Sequence, residues 1–145
     1  MRNTFTLLAC LSLVASAAVG QKVQKCDGAI VEYTQARAGK LTKKEMKNFL
    51  LAFGKECDNN VEFSEFSNEV LFLVLNRQTK LTLKTIEKEE KQLDLEAIRD
   101  DLSSPMSDMI VVEKILIKVK KVKIESRLKS LIVESLNTAV YSTER

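Results

Sequence analysis

Apolar residues recur along the chain at intervals of three and four positions, the spacing that places side chains on one side of an α-helix. The pattern is clearest at Met46, Phe49, Leu50 and Phe53. It returns in residues 110–122 and again beyond residue 125. Residues 70–75 are apolar on nearly every side, which predicts a central, well-covered helix. The sequence therefore predicts an all-α fold, a small bundle of five to six helices.

Local start and stop signals give the approximate limits of these helices. Thr42 and Glu45 form a capping-box pattern, in which each side chain accepts a hydrogen bond from the backbone N–H of the other residue. Gly39 suits the end of the preceding helix. The predicted helices run from about residue 27 to 38, 42 to 57, 62 to 77, 81 to 102, 110 to 122, and from 125 onward.

Residues 110–124 carry a competing signal, because their many Val and Ile side chains favour a β-strand. The stretch contains no turn residue for about fifteen positions, which is longer than an ordinary strand. We therefore predict a helix in this region and keep a strand as the alternative.

The first twenty residues have the pattern of a secretory signal peptide. Arg2 precedes a mostly apolar run from Phe5 to Ala18, and small residues stand before Gln21 where a signal peptidase requires them. An uncleaved anchor or a buried first helix is the alternative. No later stretch approaches the roughly 18 uninterrupted apolar residues that a membrane-spanning helix needs. We predict a signal peptide over residues 1–20 and a single secreted, extracellular domain over residues 21–145.

Two cysteines follow the predicted signal peptide, Cys26 and Cys57. In an oxidising compartment such a pair favours one intramolecular disulfide. The first two predicted helices are joined by a loop of about four residues, so we expect them to pack antiparallel. The start of one helix then lies beside the end of the other, where these cysteines are found. Two buried thiols or an intermolecular bridge are the alternatives.

Residues 54–65, with the sequence GKECDNNVEFSE, carry oxygen-bearing side chains at regular positions. Counted from Gly54 as position 1, positions 3, 5, 7, 9 and 12 are Glu56, Asp58, Asn60, Glu62 and Glu65. With the apolar residues on either side, this segment resembles a degenerate EF-hand calcium loop, mainly over residues 46–73. The resemblance implies that these five residues are metal ligands. It also implies a helix-loop-helix in which Val61 lies near a second loop around Ile110.

The segment departs from the EF-hand pattern in ways that weaken any calcium site. Position 1 is Gly54, so the first carboxylate is missing, and Asn59 stands where the family has glycine. A second loop over residues 103–114 would end in Lys114, where the metal needs an anion. We therefore expect calcium binding to be weak at most, and no other cofactor. An ordinary helix cap made by Asn59 and Glu62 explains the same residues.

Residues 110–133 form a basic amphipathic segment, with seven Lys or Arg residues against two Glu residues. Its cations are Lys114, Lys118, Lys120, Lys121, Lys123, Arg127 and Lys129. Such a segment is typical of proteins that bind an anionic membrane surface or an acidic partner. The alternative is that it lies alongside the acidic residues 82–101, with the remaining charges in solvent.

Composition excludes several functional classes. The 145-residue chain has no His, which excludes Ser-His-Asp and Cys-His nucleophile sites and His-ligated zinc. A net charge of +3, evenly spread, does not indicate nucleic-acid binding. We predict that the chain is not an enzyme.

The expected function is therefore binding. We expect a secreted, non-catalytic interaction protein with an EF-hand-like fold, whose partner is an extracellular protein or an apolar ligand. One alternative is a small helical carrier that encloses an apolar ligand among its amphipathic helices. The other is a membrane-active defence or effector protein that acts through the basic residues 110–133.

Overall fold

A computed structural model describes residues 23–143, most of which are helical. The helices are α1 (Gly28–Arg37), α2 (Lys43–Leu51), α3 (Val61–Arg77), α4 (Thr79–Glu89), α5 (Leu95–Ser103), α6 (Val112–Lys121) and α7 (Arg127–Thr143). A short 3₁₀ turn, Lys55–Cys57, lies between α2 and α3. No β-strand occurs within residues 23–143, which confirms the predicted all-α class.

The predicted signal peptide, residues 1–20, lies outside the described residues. Within residues 23–143 no helix is both long and apolar enough to cross a membrane. Residues 112–121 form α6, so the helical prediction for this β-branched stretch is confirmed and the strand alternative is wrong.

The described chain contains seven α-helices, one more than the upper end of the predicted five to six, because one long predicted helix is two. The helix expected over residues 81–102 breaks between α4 and α5. The Gln92 backbone N–H bonds the Glu89 carbonyl at 2.8 Å and closes a turn. The Asp94 side chain then accepts a hydrogen bond from the Ala97 backbone N–H at 3.1 Å and caps the first turn of α5. The break turns Leu93 into the core, where its side chain is buried.

Helix α3 is the central element, as its apolar sequence predicts. Its residues Val70, Leu71, Phe72, Val74 and Leu75 are buried, and it contacts α1, α4, α5 and α6. Burial of each such side chain stabilises the fold by about 1.5 to 3 kcal/mol relative to exposure. The remaining helices are positioned around this core, with α7 packed against α5 and α6.

The Cys26–Cys57 disulfide is present and confirms the predicted pairing. The two Cα atoms are 5.5 Å apart, and α1 contacts α2 as the disulfide requires. Cys26 has a φ of 59°, in the left-handed region that residues with a Cβ seldom adopt. The Cys26 backbone N–H also bonds the Ala52 carbonyl at 2.9 Å, so the backbone of this residue is held at the end of α2 and its side chain at the 3₁₀ turn that follows.

Two sets of hydrogen bonds fix the start of α2. Thr42 and Glu45 form the predicted capping box, which satisfies two backbone N–H groups at the helix N-terminus. The Gln78 side chain reaches the same loop from the junction of α3 and α4. Its oxygen accepts from the backbone N–H groups of Gly39 and Leu41, and its nitrogen donates to the Leu41 carbonyl at 3.0 Å. The α1–α2 connection is therefore tied to the end of the central helix.

Candidate functional site

Asn68, a polar residue inside the apolar helix α3, anchors the chain that follows α5. Its side chain is fully buried. The amide nitrogen donates to the carbonyls of Asp101 and Ser104, at 2.9 and 3.2 Å, and the amide oxygen accepts from the Met106 backbone N–H at 3.0 Å. A buried amide that satisfies three backbone groups compensates for its own desolvation and fixes the path of the chain. The loop beyond α5 therefore starts from a fixed point on α3.

Residues 106–111, called here the Met segment, lie over one side of α3 and leave an open groove of about 370 Å³ between them. Val70, Phe72 and Leu73 of α3 line one wall, and Ile110 and Ile115 line the other. The volume falls at the lower end of the range of about 300 to 1,000 Å³ found for small-molecule sites. The groove is therefore large enough for a small apolar ligand or one apolar chain.

The Met segment exposes large apolar side chains beside this groove. Met109 is 88% exposed, Met106 52% and Val111 46%. Neighbouring exposed apolar side chains commonly mark a binding surface, whereas isolated ones need no explanation. Methionine is flexible and polarizable, so it adapts to ligands of different shape. Met109 and Val111 line the groove, so a ligand seated there would cover them, whereas Met106 lies outside the lining.

Five polar residues also line the groove, namely Gln35, Glu69, Asn76, Ser107 and Lys114. Glu69 and Lys114 line it, are exposed, and form no ion pair within residues 23–143. Asn76 lies further along α3 and accepts a hydrogen bond from the Lys118 ammonium. An apolar floor with a small number of polar groups is typical of sites that bind and orient a ligand without reacting with it.

The structure divides the predicted basic residues into different local environments. The Lys129 ammonium donates to the carbonyls of Lys120 and Val122 at 3.2 and 2.6 Å, where it satisfies the C-terminal end of α6. Arg127 forms an ion pair of 2.6 Å with Glu90, which links the basic segment to the acidic residues 82–101 as the alternative interpretation expected. Three others, Lys120, Lys121 and Lys123, are exposed. Lys114 and Lys118 lie at or near the groove.

The five predicted calcium ligands lie at successive points of the α2–α3 connection. Glu56 is in the 3₁₀ turn and Asp58 follows it. Asn60 is the N-cap of α3, and its side-chain oxygen accepts from the Phe63 backbone N–H at 3.1 Å. Glu62 and Glu65 are exposed residues of α3 itself. The expected cap by Asn59 is therefore one residue too early, because Asn60 has this role.

This arrangement does not gather the five side chains around one point. Within residues 23–143 no group of three or more Asp, Glu or Cys side chains is placed to hold a metal ion. Position 7, Asn60, is committed to the helix cap, and α3 has already begun at Val61, so positions 8 to 12 are helical. The residues present do not fit a calcium ion of the EF-hand type, and calcium binding stays a prediction from the sequence resemblance.

Three carboxylates lie close together beneath the α2–α3 connection. Asp58 belongs to the predicted set of five, whereas Asp100 and Asp101 do not. Asp58, Asp100 and Asp101 line a small cavity of about 50 Å³. Burial, followed by the charges of Asp58 and Asp100, raises the pKa of Asp101 to about 6, although hydrogen bonding with Asn68 acts in the opposite direction. The cluster therefore disfavours the charged form of Asp101 near neutral pH.

Asn68 and the Met segment, the two features that build the groove, were not predicted from the sequence. Asn68, two positions before the apolar residues 70–75 of α3, was the available signal, because a buried amide needs partners from elsewhere in the chain. Met106 and Met109, separated by Ser107 and Asp108, were the second signal. Neither signal by itself indicates where the partner lies. No protein-family model, no curated protein and no solved structure matches this chain.

Proposed function

We propose that this chain is a secreted, non-catalytic binding protein that takes an apolar ligand in the groove between α3 and the Met segment. The observation that carries the proposal is the open apolar groove, bordered by exposed Met109 and held in place by buried Asn68. A ligand seated there removes its own apolar surface and that of the groove from water. Each Å² of apolar surface so covered contributes about 25 cal/mol.

Secretion is supported by two independent features. The chain has a Cys26–Cys57 disulfide, and such bonds persist in oxidising compartments. Its first twenty residues have the charge, apolar run and small residues of a cleaved signal peptide. An extracellular site of action suits a carrier of apolar molecules, because these molecules dissolve poorly in the surrounding water.

The proposal contains no catalytic step. The polar groups around the groove include Glu69, Asn76 and Lys114, and the chain has no His to act as a general base near neutral pH. These groups can orient a ligand through charge and hydrogen bonds. The EF-hand-like segment has no part in this site, since Asn60 caps α3 at the end of the helix away from Leu73.

The test is titration of the protein with the neutral fluorescent probe N-phenyl-1-naphthylamine. We expect saturable binding to the wild-type protein and about fivefold weaker binding to Leu73→Gln, because the substitution removes apolar surface from the groove. Val61→Gln is the matched control, since Val61 belongs to the same helix, is 65% exposed and does not line the groove. Met109→Gln is a second groove variant. The Met109 side chain is 88% exposed, so its replacement leaves the core undisturbed.

Two outcomes would overturn the proposed function. One is the absence of saturable probe binding to the wild-type protein. The other is an equal loss of affinity in Leu73→Gln and Val61→Gln, which would mean that the probe detects general surface apolarity. Native mass spectra of the secreted protein add a second measurement, in which we expect a bound small molecule that Leu73→Gln retains less well.

A membrane-active function is the second candidate, and one observation favours it. Ile117 is half exposed on α6, on a surface that also carries the exposed Lys114 and Lys121. An apolar residue among cations is typical of surfaces that contact anionic membranes. Leakage from anionic liposomes that is abolished by Lys120→Glu/Lys121→Glu supports this candidate, whereas intact liposomes at saturating protein exclude it.

A further inference from the structure

Four cations from three helices surround a shallow depression next to the groove. They are Arg77 at the end of α3, Lys80 in α4, and Lys118 and Lys121 in α6. The depression has a volume of about 460 Å³, and the partly buried side chains of Leu81 and Val122 also line it. Arg77 and Lys80 lie outside the basic segment recognised in the sequence, so only the fold brings this set together.

None of the four cations is neutralised by a carboxylate. In the described part of the chain, no ion pair involves any of them. The Arg77 guanidinium donates to the Ala38 carbonyl at 3.2 Å, and the Lys118 ammonium donates to the Asn76 carbonyl at 3.0 Å. These partners are neutral, so the positive charges add up and create a positive potential over the depression. An anion entering the depression would relieve their mutual repulsion.

The cationic depression adjoins the apolar groove at the contact between Asn76 and Lys118. Asn76 lines the groove, Lys118 lines the depression, and a hydrogen bond joins them. Along α3, the groove residue Val70 and the depression residue Arg77 are seven positions apart, which is about 10 Å of helix. The α3–α6 surface therefore changes from apolar to cationic over the length of one small amphiphilic molecule.

We propose that the ligand of this surface is a single-chain amphiphile with a phosphate head group. Its apolar chain lies in the groove beside the Met segment, and its phosphate lies between Lys80, Lys118 and Lys121. This proposal rests on the proposed function and adds the chemical class of the ligand. Charge complementarity is the reason for a phosphate, because several convergent cations match a doubly charged anion better than a single carboxylate.

The test compares two probes that share a chain and differ in the head group. Isothermal titration calorimetry is carried out with dodecyl phosphate and with 1-dodecanol, both as monomers, at low ionic strength. We expect dodecyl phosphate to bind about tenfold more tightly. We expect this preference to shrink in high salt, because the depression is open to solvent and its charges are screened.

A charge-matched pair of variants tests the placement of the head group. Lys80→Gln/Lys121→Gln removes two cations of the depression whose side chains make no hydrogen bond within residues 23–143. Lys120→Gln/Lys123→Gln removes two exposed cations that do not line it. We expect the first variant to lose about tenfold in affinity for dodecyl phosphate and none for 1-dodecanol. The second variant should keep the wild-type affinity for both probes.

The outcomes separate this inference from the proposed function. Equal affinity for the two probes overturns the phosphate head group and leaves the apolar groove in place, whereas no binding of either probe overturns both. Inorganic phosphate that binds as tightly as dodecyl phosphate overturns the amphiphile in favour of free phosphate. Binding only to vesicles of equimolar phosphatidylcholine and phosphatidylserine overturns it in favour of a membrane surface. Equal losses of affinity for dodecyl phosphate in the two double variants would overturn the placement of the head group, because the overall charge of the protein would then explain the effect.

Discussion

The side-chain oxygen of Asn68 accepts a hydrogen bond from the backbone N–H of Met106 at 3.0 Å, across 38 positions of sequence. The same side chain donates to the carbonyls of Asp101 and Ser104. One buried amide therefore ends α5, begins the Met segment and holds both against α3. The shape of the candidate ligand groove depends on this residue more than on any residue that lines it.

Substitution of Asn68 by Ala should both destabilise the protein and weaken ligand binding. It removes the Asn68 hydrogen bond from the Ser104 carbonyl and the Met106 N–H, whereas the Asp101 carbonyl keeps the Ser104 N–H as a partner. We expect the free energy of unfolding to fall by about 2 to 4 kcal/mol. Urea unfolding measures this loss. Asn48→Ala in α2 is the control, because the Asn48 side chain is partly buried and makes no hydrogen bond in the described structure. Equal losses in the two variants would contradict the anchoring role.

The contribution of Asp101 to the stability of the protein should depend on pH. Burial raises the folded-state pKa of Asp101 to about 6 from an unfolded value of 3.8, so folding favours its neutral form. The stabilisation of the fold that results from this raised pKa is fully present below about pH 3.8 and is lost as the pH rises through 6.

We therefore expect Asp101→Asn to be more stable than the wild-type protein by about 1 kcal/mol at pH 7, after allowance for solvent screening, and the difference to vanish near pH 4. Thermal unfolding at the two pH values measures it. Asp108→Asn, at an exposed position of the Met segment, is the control. A difference that is the same at both pH values would show that Asp101 acts through packing alone.

Glu45 should stay ionised to unusually low pH because of Tyr33. The Tyr33 hydroxyl donates to the Glu45 carboxylate, and this bond is the largest of the effects that lower the pKa of Glu45 to about 2. Hydrogen bonds from Thr42 add to it. A depressed folded-state pKa stabilises the fold above the unfolded value of 4.5, and this contribution is lost as the pH falls through 2.

Tyr33→Phe is expected to raise the pKa of Glu45, as measured by NMR titration of its side-chain carboxyl carbon. Tyr141→Phe is the matched control, since Tyr141 lies on α7 and its side chain is exposed. An unchanged pKa in Tyr33→Phe would assign the effect to the capping box at Thr42 and to the ion pair with Arg37 instead.

Calcium should not bind saturably below millimolar concentration. Asn60 is engaged at the Phe63 N–H, and the Glu56 carboxylate is folded against Gly54, so the predicted ligands are not free to converge. Gly54→Asp, which restores the missing position 1, is expected to leave calcium binding weak, because the residues that follow Asn60 are already helical. Amide chemical shifts of residues 54–65 during calcium titration test this. Saturable shifts confined to that range would establish the EF-hand-like site.

The sequence predicted those parts of the fold that depend on local signals. The Thr42–Glu45 capping box and the apolar stretch of α3 are local, and both are confirmed. The break between α4 and α5 was missed because the charged residues 88–91 contain neither Gly nor Pro. It depends on Asp94 as a cap and on Leu93 turning into the core, and the second of these is a property of the packed structure.

The candidate site was predictable only in part, for a related physical reason. The basic segment was visible from its composition, yet the depression combines Lys118 and Lys121 with Arg77 and Lys80, which belong to other helices. Asn68 likewise acts on residues more than thirty positions away. Interactions between distant parts of the chain arise from packing, and a single sequence gives no direct evidence of which distant residues meet.

The Cys26–Cys57 disulfide covalently closes only the loop that contains α1 and α2, and the helices from α3 to α7 are held by packing and hydrogen bonds. The groove lies across this division, because Gln35 of α1 lines it together with α3 and residues 109–115, which lie outside the closed loop. A bound ligand would therefore act as a non-covalent tie between the two parts. Opening of the C-terminal helices would require its release, so ligand binding would slow amide exchange in α6 more than in α1.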